Sequence, residues 1–86
     1  MDLDYEVSVV LARDDCGNIE FFPVAQNVHK HGILDVSVMP APAFPDHLRV
    51  EAESIARLIA GKMDYIGTMA VEFFVAGGQL LVNEIA

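Results

Sequence analysis

Residues 70–84 read Ala70-Val71-Glu72-Phe73-Phe74-Val75-Ala76-Gly77-Gly78-Gln79-Leu80-Leu81-Val82-Asn83-Glu84. Two apolar runs, Ala70–Val75 and Leu80–Val82, flank Gly77-Gly78, the pattern of two strands joined by a glycine turn. Glu72 and Glu84 interrupt those runs, and Asn83 adjoins the second. An ionised carboxylate on so apolar a strand is costly unless it is paired or holds a cation. One reading sends both carboxylates to solvent from the uncovered side of a half-covered sheet. The other makes them ligands: two hard oxygen donors and an amide suit magnesium, which takes one or two carboxylates and completes its shell with phosphate oxygens and water. The neighbours Phe73, Phe74, Leu81 and Val82 favour the second. A shared metal needs both side chains on one face. A two-residue Gly77-Gly78 loop pairs Glu72 with Asn83 and turns Glu84 away. A three-residue loop, Gly77-Gly78-Gln79 with a bulge, sets Glu72 opposite Glu84 and predicts Phe73, Val75, Leu81 and Ile85 on the core side.

The remainder of the chain supplies partners for this hairpin. Tyr5–Arg13 is valine-rich and partly alternating, a strand. Asp14–Asn18 is a turn, and Ile19–Val24 is the return strand, with Pro23 at an edge or near its end. Ala25–Gly32 is polar and reads as irregular, while Ile33–Met39 alternates as a third strand. Pro40, Pro42 and Pro45 make an extended connector. A helix follows, with Asp46 as its cap and an apolar stripe of Leu48, Ala52, Ile55, Leu58 and Ile59. It ends at or near Gly61. The order β-β-β-α-β-β predicts an α+β fold, an antiparallel sheet with one covering helix, in a single domain spanning 1–86.

Eighty-six residues bury only about 60–65% of their unfolded surface. The chain is 53% hydrophobic, and that small excess predicts bare apolar surface and self-association into a homo-oligomer. A net charge of −8 disfavours nucleic acid and anionic membrane as partners. No apolar run approaches the ~18 residues of a membrane span, and Met1-Asp2-Leu3-Asp4 is not the start of a secretory leader. The single cysteine, Cys16, reads as an inert thiol of a cytoplasmic protein. His29-Lys30-His31 sets an ammonium between two imidazoles, and no further Cys or His completes a zinc set, so His31 reads as a solvated loop residue. Gly77-Gly78 lacks the following Lys-Ser/Thr of a phosphate loop. Ser8 and Cys16 have no adjacent base, and no catalytic nucleophile is assigned.

An ordered set of short segments resembles one family. The set is Glu6-Val-Ser8, Ala12-Arg13, Phe22-Pro23-Val24, Asn27-Val-His29, Gly32-Ile33-Leu34, Gly67-Thr-Met-Ala-Val-Glu72 and Asn83-Glu84-Ile-Ala. It is similar to the ATP-grasp 5-(carboxyamino)imidazole ribonucleotide synthases of purine biosynthesis, the ATPase subunits of phosphoribosylaminoimidazole carboxylase. The resemblance implies the C-terminal part of an ATP-grasp domain from an ATP-dependent carbon–nitrogen ligase. In that family ATP and bicarbonate give carboxyphosphate, whose carboxyl group passes to aminoimidazole ribonucleotide. It assigns ATP and Mg2+ as cofactors, Glu72 and Glu84 to the metal, and Glu6, His29, Asn83 and Glu84 to the nucleotide. Glu6 can accept from both ribose hydroxyls; without the resemblance it reads as an exposed strand-edge acid. Arg13 is left without a role. The substrate domain, the first ATP-grasp lobe and a Pro-Arg-Pro-His run lie outside these segments, so the 86 residues are expected to be an inactive fragment of an active parent. The rival readings are another ATP-grasp ligase, biotin-carboxylase-like or formate-using, and a non-catalytic fragment that self-associates.

Overall fold

In a computed structural model, described for residues 5–30, 33–42 and 44–86 (backbone alone for 28–30 and 33–36), the chain forms one antiparallel sheet with one helix. The elements are β1 (Tyr5–Arg13), β2 (Ile19–Phe21), β3 (Ala25–Lys30), β4 (Ile33–Val38), α1 (Asp46–Lys62), β5 (Gly67–Ala76) and β6 (Gln79–Ile85). Strand order is β4-β3-β1-β5-β6, with β2 paired to β1. The α+β class and the single helix agree with the sequence reading.

The element that reading missed is β3. Its polar sequence, Ala-Gln-Asn-Val-His-Lys, gives little strand signal. It becomes a strand because β1 offers a free edge. Leu11, Ala12 and Arg13 pair with β2, and Glu6, Val7 and Ser8 pair with β3 along that same edge. β2 and β3 thus form one interrupted line, broken around Pro23, which has no amide hydrogen for a ladder. The Phe22 N–H still donates to the Val10 carbonyl at 2.9 Å. Tertiary pairing here overrides a weak local propensity.

Val7, Val9 and Leu11 of β1 and Met69, Val71, Phe73 and Val75 of β5 share one face and are buried under α1. The helix contributes Leu48, Ala52, Ala56 and Ala60, four residues apart, with Ile55 and Ile59 packed against the cluster. The apolar stripe therefore differs from the expected one. Leu58 is 60% exposed, and Ala56 and Ala60 take its place. Alanine carries little hydropathy, yet its small side chain lets the helix axis approach the sheet closely. The start of the helix also differs. Pro45 is the N-cap, with no side-chain cap, and Asp46 is the first helical residue. There its carboxylate favours the positive end of the helix dipole.

The C-terminus of α1 closes with a paired motif. The Asp64 N–H donates to the Gly61 carbonyl at 3.2 Å and the Tyr65 N–H to the Ala60 carbonyl at 3.0 Å. Asp64 sits at φ 50°, the left-handed position usually given to glycine. Asp64→Gly is therefore expected to stabilise the fold by roughly 0.5–1 kcal/mol, read as a higher melting temperature. An unchanged or lower melting temperature would contradict it. Arg13 crosses to this junction and donates to the Tyr65 carbonyl at 2.8 Å. Its 3.8 Å pair with Asp64, whose side chain is 95% exposed, adds little. Arg13 thus has a structural role.

The β1–β2 turn is held by Asp14. One carboxylate oxygen accepts from the Cys16 and Asn18 N–H groups, both at 2.9 Å, and the other accepts from Asn18 Nδ2 at 3.0 Å. These bonds, those from Asn18 first, hold its carboxyl below the ordinary carboxylate range. A depressed folded pKa contributes stability above the unfolded value, and that stability is lost as pH falls through the folded one. Asp14→Asn is expected to lower the melting temperature at neutral pH, with the difference shrinking in acid. A difference that grows in acid would be inconsistent with this account. Asp14, Asp15 and Cys16 also cluster closely, but all are exposed and Asp14's oxygens are engaged within the turn.

Candidate functional site

The face of the sheet opposite α1 carries the polar residues. Alternation along β1 places Glu6 and Ser8 there, on the opposite side from the buried Val7 and Val9. Register then sets two rows across the sheet. Ala25, Ser8, Glu72 and Glu84 stand side by side on β3, β1, β5 and β6. The neighbouring row is Ser37, Asn27, Glu6, Phe74 and Leu81.

Glu72 and Glu84 are direct cross-strand partners, with a register shift between Glu72 and Phe73. The expected outcome holds by another route. The loop is the two-residue Gly77-Gly78, with Ala76 paired to Gln79 and both glycines at positive φ (58° and 76°). The extra residue is Asn83, because Phe73 pairs with Val82 and Glu72 with Glu84. The bulge thus lies beside the carboxylates and not in the loop. It brings Asn83 and Glu84 together where a regular strand would present one residue. The shift of the bulge also corrects the expected core residues. Phe73 and Val75 are buried, but Leu81 pairs with Phe74 on the open face and is 39% exposed. Ile85 pairs with Val71 on the helix side, yet at the sheet edge it is 42% exposed.

Directly opposed side chains have Cβ atoms about 4.5–5.5 Å apart, close enough for two carboxylates to share one cation. Glu72 is half-buried, and Glu84 and Asn83 are exposed. Two carboxylates and an amide oxygen are hard donors of the kind magnesium takes, and the exposed side leaves room for its water and phosphate ligands, so the residues present fit that ion.

Glu6 is not the strand-edge acid that its sequence alone predicts. It lies on β1, the middle strand of the order, and is 8% exposed. Asn27, 9% exposed, donates through Nδ2 to Glu6 Oε1 at 3.1 Å and to Ser8 Oγ at 2.8 Å. Ser37 Oγ donates to Asn27 Oδ1 at 2.9 Å. Ser8, Asn27 and Ser37 join this site although the sequence assigned them no role in it. The available signal was the alternation that puts Glu6 and Ser8 on one face; the missing one was the β1–β3 register. His29 belongs to β3 and its backbone pairs with Leu34, but its side chain lies outside the described residues, as does His31 altogether. A separate cleft of about 750 Å³, lined by Arg13, Asn18, Glu20 and Arg57 among others, contains none of these residues.

Known proteins share this fold. The ATP-grasp domain family matches residues 1–86. The N5-carboxyaminoimidazole ribonucleotide synthase of Vibrio cholerae is 44% identical over 84 residues, covering 96% of this chain and 21% of that protein. The crystal structure of the N5-carboxyaminoimidazole ribonucleotide synthetase from Thermus thermophilus superposes with a TM-score of 0.93 at 40% identity, over all of this chain and 24% of the other. A crystal structure of an ADP complex of an N5-carboxyaminoimidazole ribonucleotide synthetase gives a TM-score of 0.90 at 36% identity, over 100% and 23%. The chain therefore spans about a fifth to a quarter of the length of the relatives it matches. Because the family match runs the length of the chain, the chain belongs to the ATP-grasp family.

Proposed function

We propose that this chain is the nucleotide- and magnesium-binding sheet of an ATP-dependent ligase. The reaction is carboxylation of 5-aminoimidazole ribonucleotide by bicarbonate, through carboxyphosphate, in purine biosynthesis. The observation that carries the reading is the row Ser8–Glu72–Glu84 with Asn83 bulged beside it, on a face that α1 leaves uncovered. The names of its relatives support the substrate class.

Glu72 and Glu84 are the residues that hold Mg2+, with Asn83 and Glu84 also facing the nucleotide. Bound there, Mg2+ would supply charge stabilisation for phosphoryl transfer. Glu6 accepts hydrogen bonds from the ribose hydroxyls, and His29 contacts the same nucleotide. The chain itself contributes orientation and fixed charge, the two quantities on which phosphoryl transfer depends most. Positioning must come from both sides of a cleft, so the 86 residues assayed alone should not turn over.

Among the described residues, no helix is long and apolar enough to cross a membrane. The unpaired, exposed Cys16 supports placing the protein in the cytoplasm. Leu58, Met63 and Ile66, 55–63% exposed, support a homo-oligomer, which sedimentation showing only monomer at high concentration would contradict.

The test of function is ATP hydrolysis by the full-length protein with bicarbonate, with and without aminoimidazole ribonucleotide. Hydrolysis that depends on both is the expected result. Activity that requires formate, or that ignores the ribonucleotide, would assign the chain to a different ATP-grasp ligase.

A further inference from the structure

Glu6 and Asn27 are the buried polar residues among those described, and they face each other across β1 and β3. A carboxyl group that is 8% exposed has lost most of its hydration and needs hydrogen-bond partners within the protein. Asn27 supplies one, through Nδ2 to Glu6 Oε1 at 3.1 Å. The amide turns its nitrogen toward Glu6 and Ser8 and its oxygen toward Ser37. The second contact of Nδ2, to Ser8 Oγ at 2.8 Å, and the donation from Ser37 Oγ to Oδ1 at 2.9 Å brace the amide from both sides. The brace runs from β4 through β3 to β1. Asn27 takes one of the roughly four acceptor sites of a carboxylate.

We propose that Asn27 is a positioning residue for nucleotide recognition: it fixes the Glu6 carboxylate in the orientation that accepts from the ribose hydroxyls, and Ser37 holds Asn27 in turn. This rests on the reading of Glu6 as the ribose acceptor. A side chain that merely satisfied a buried carboxyl group would affect stability alone. A positioning residue affects the discrimination between ribose and deoxyribose.

The experiment measures equilibrium binding of magnesium ATP, 2′-deoxy-ATP and 3′-deoxy-ATP to the full-length protein. The natural sequence should prefer ATP over at least one deoxy analogue by about tenfold, the effect of one hydrogen bond to a charged group. In Asn27→Ala that preference should fall to within about twofold of unity, while affinity for that deoxy analogue changes by less than about threefold. Ser37→Ala, which keeps both Asn27 and Glu6, should give an intermediate preference and serves if Asn27→Ala does not fold. In a Glu6→Gln background, Asn27→Ala should cause no further loss of preference. Retention of the natural preference by both Asn27→Ala and Ser37→Ala would overturn the proposal. If Glu6→Gln abolishes the preference while those two variants keep it, the positioning role falls and the reading of Glu6 stands. If Glu6→Gln itself keeps the preference, both fall together.

Discussion

Glu84→Gln in the full-length protein is expected to lower ATP turnover by about a hundredfold or more, since a metal clamp contributes several kcal/mol to charge stabilisation. Glu72→Gln should do the same. The pair faces across one antiparallel ladder, so each substitution leaves a single carboxylate where two now stand. Glutamine keeps the size and one carbonyl oxygen and removes the charge, which separates ligation from packing. Glu84 is exposed, so its loss should leave the melting temperature nearly unchanged. Raising the magnesium concentration should partly restore binding if the carboxylate acts through the metal. An active Glu84→Gln enzyme at ordinary magnesium would show that the metal site has been misplaced.

Phe73→Ala is expected to destabilise the fold by about 3–5 kcal/mol, the range for deleting a buried aromatic side chain. Phe73 is fully buried, pairs with Val7 of β1 and Val82 of β6, and lies under α1 in the one core cluster. A chain of this length has roughly 4–13 kcal/mol of total stability to lose, so the variant should melt far below the natural sequence or fail to fold. Leu81→Ala is the control. It removes a comparable apolar side chain from the adjacent strand but on the open face, where Leu81 is already 39% exposed. Its cost should stay below about 1 kcal/mol. Equal losses for the two in a thermal or urea titration would mean that the helix does not cover the face assigned to it.

The ends of several elements were legible because their signals are local. β1 spans Tyr5–Arg13 as its valine alternation predicts. Asp14 and Gly17 mark the turn, and Gly77-Gly78 marks the last hairpin. The pairing of Glu72 with Glu84 was predicted from the requirement of a shared ion, although the predicted mechanism, a longer loop, was not the one used. A bulge at Asn83 achieves the same register with a two-residue turn. The two solutions differ in where the extra residue goes: the longer loop would pair Phe73 with Asn83, whereas the bulge pairs Phe73 with Val82.

The sequence by itself determined the α+β class, the single helix, the hairpin carrying both carboxylates, and the family. The first three follow from alternation, helical spacing and turn residues, which act between residues near in the chain; the family follows from the resemblance of an ordered set of short motifs. The tertiary structure alone decided that Ala25–Lys30 is a strand, that Ala56 and Ala60 rather than Leu58 meet the sheet, and that Glu6 is buried against Asn27. Each of those depends on what lies opposite. A polar strand forms because β1 offers an unpaired edge, a small residue is buried because the helix must come close, and a carboxylate is tolerated because an amide 21 positions away donates to it.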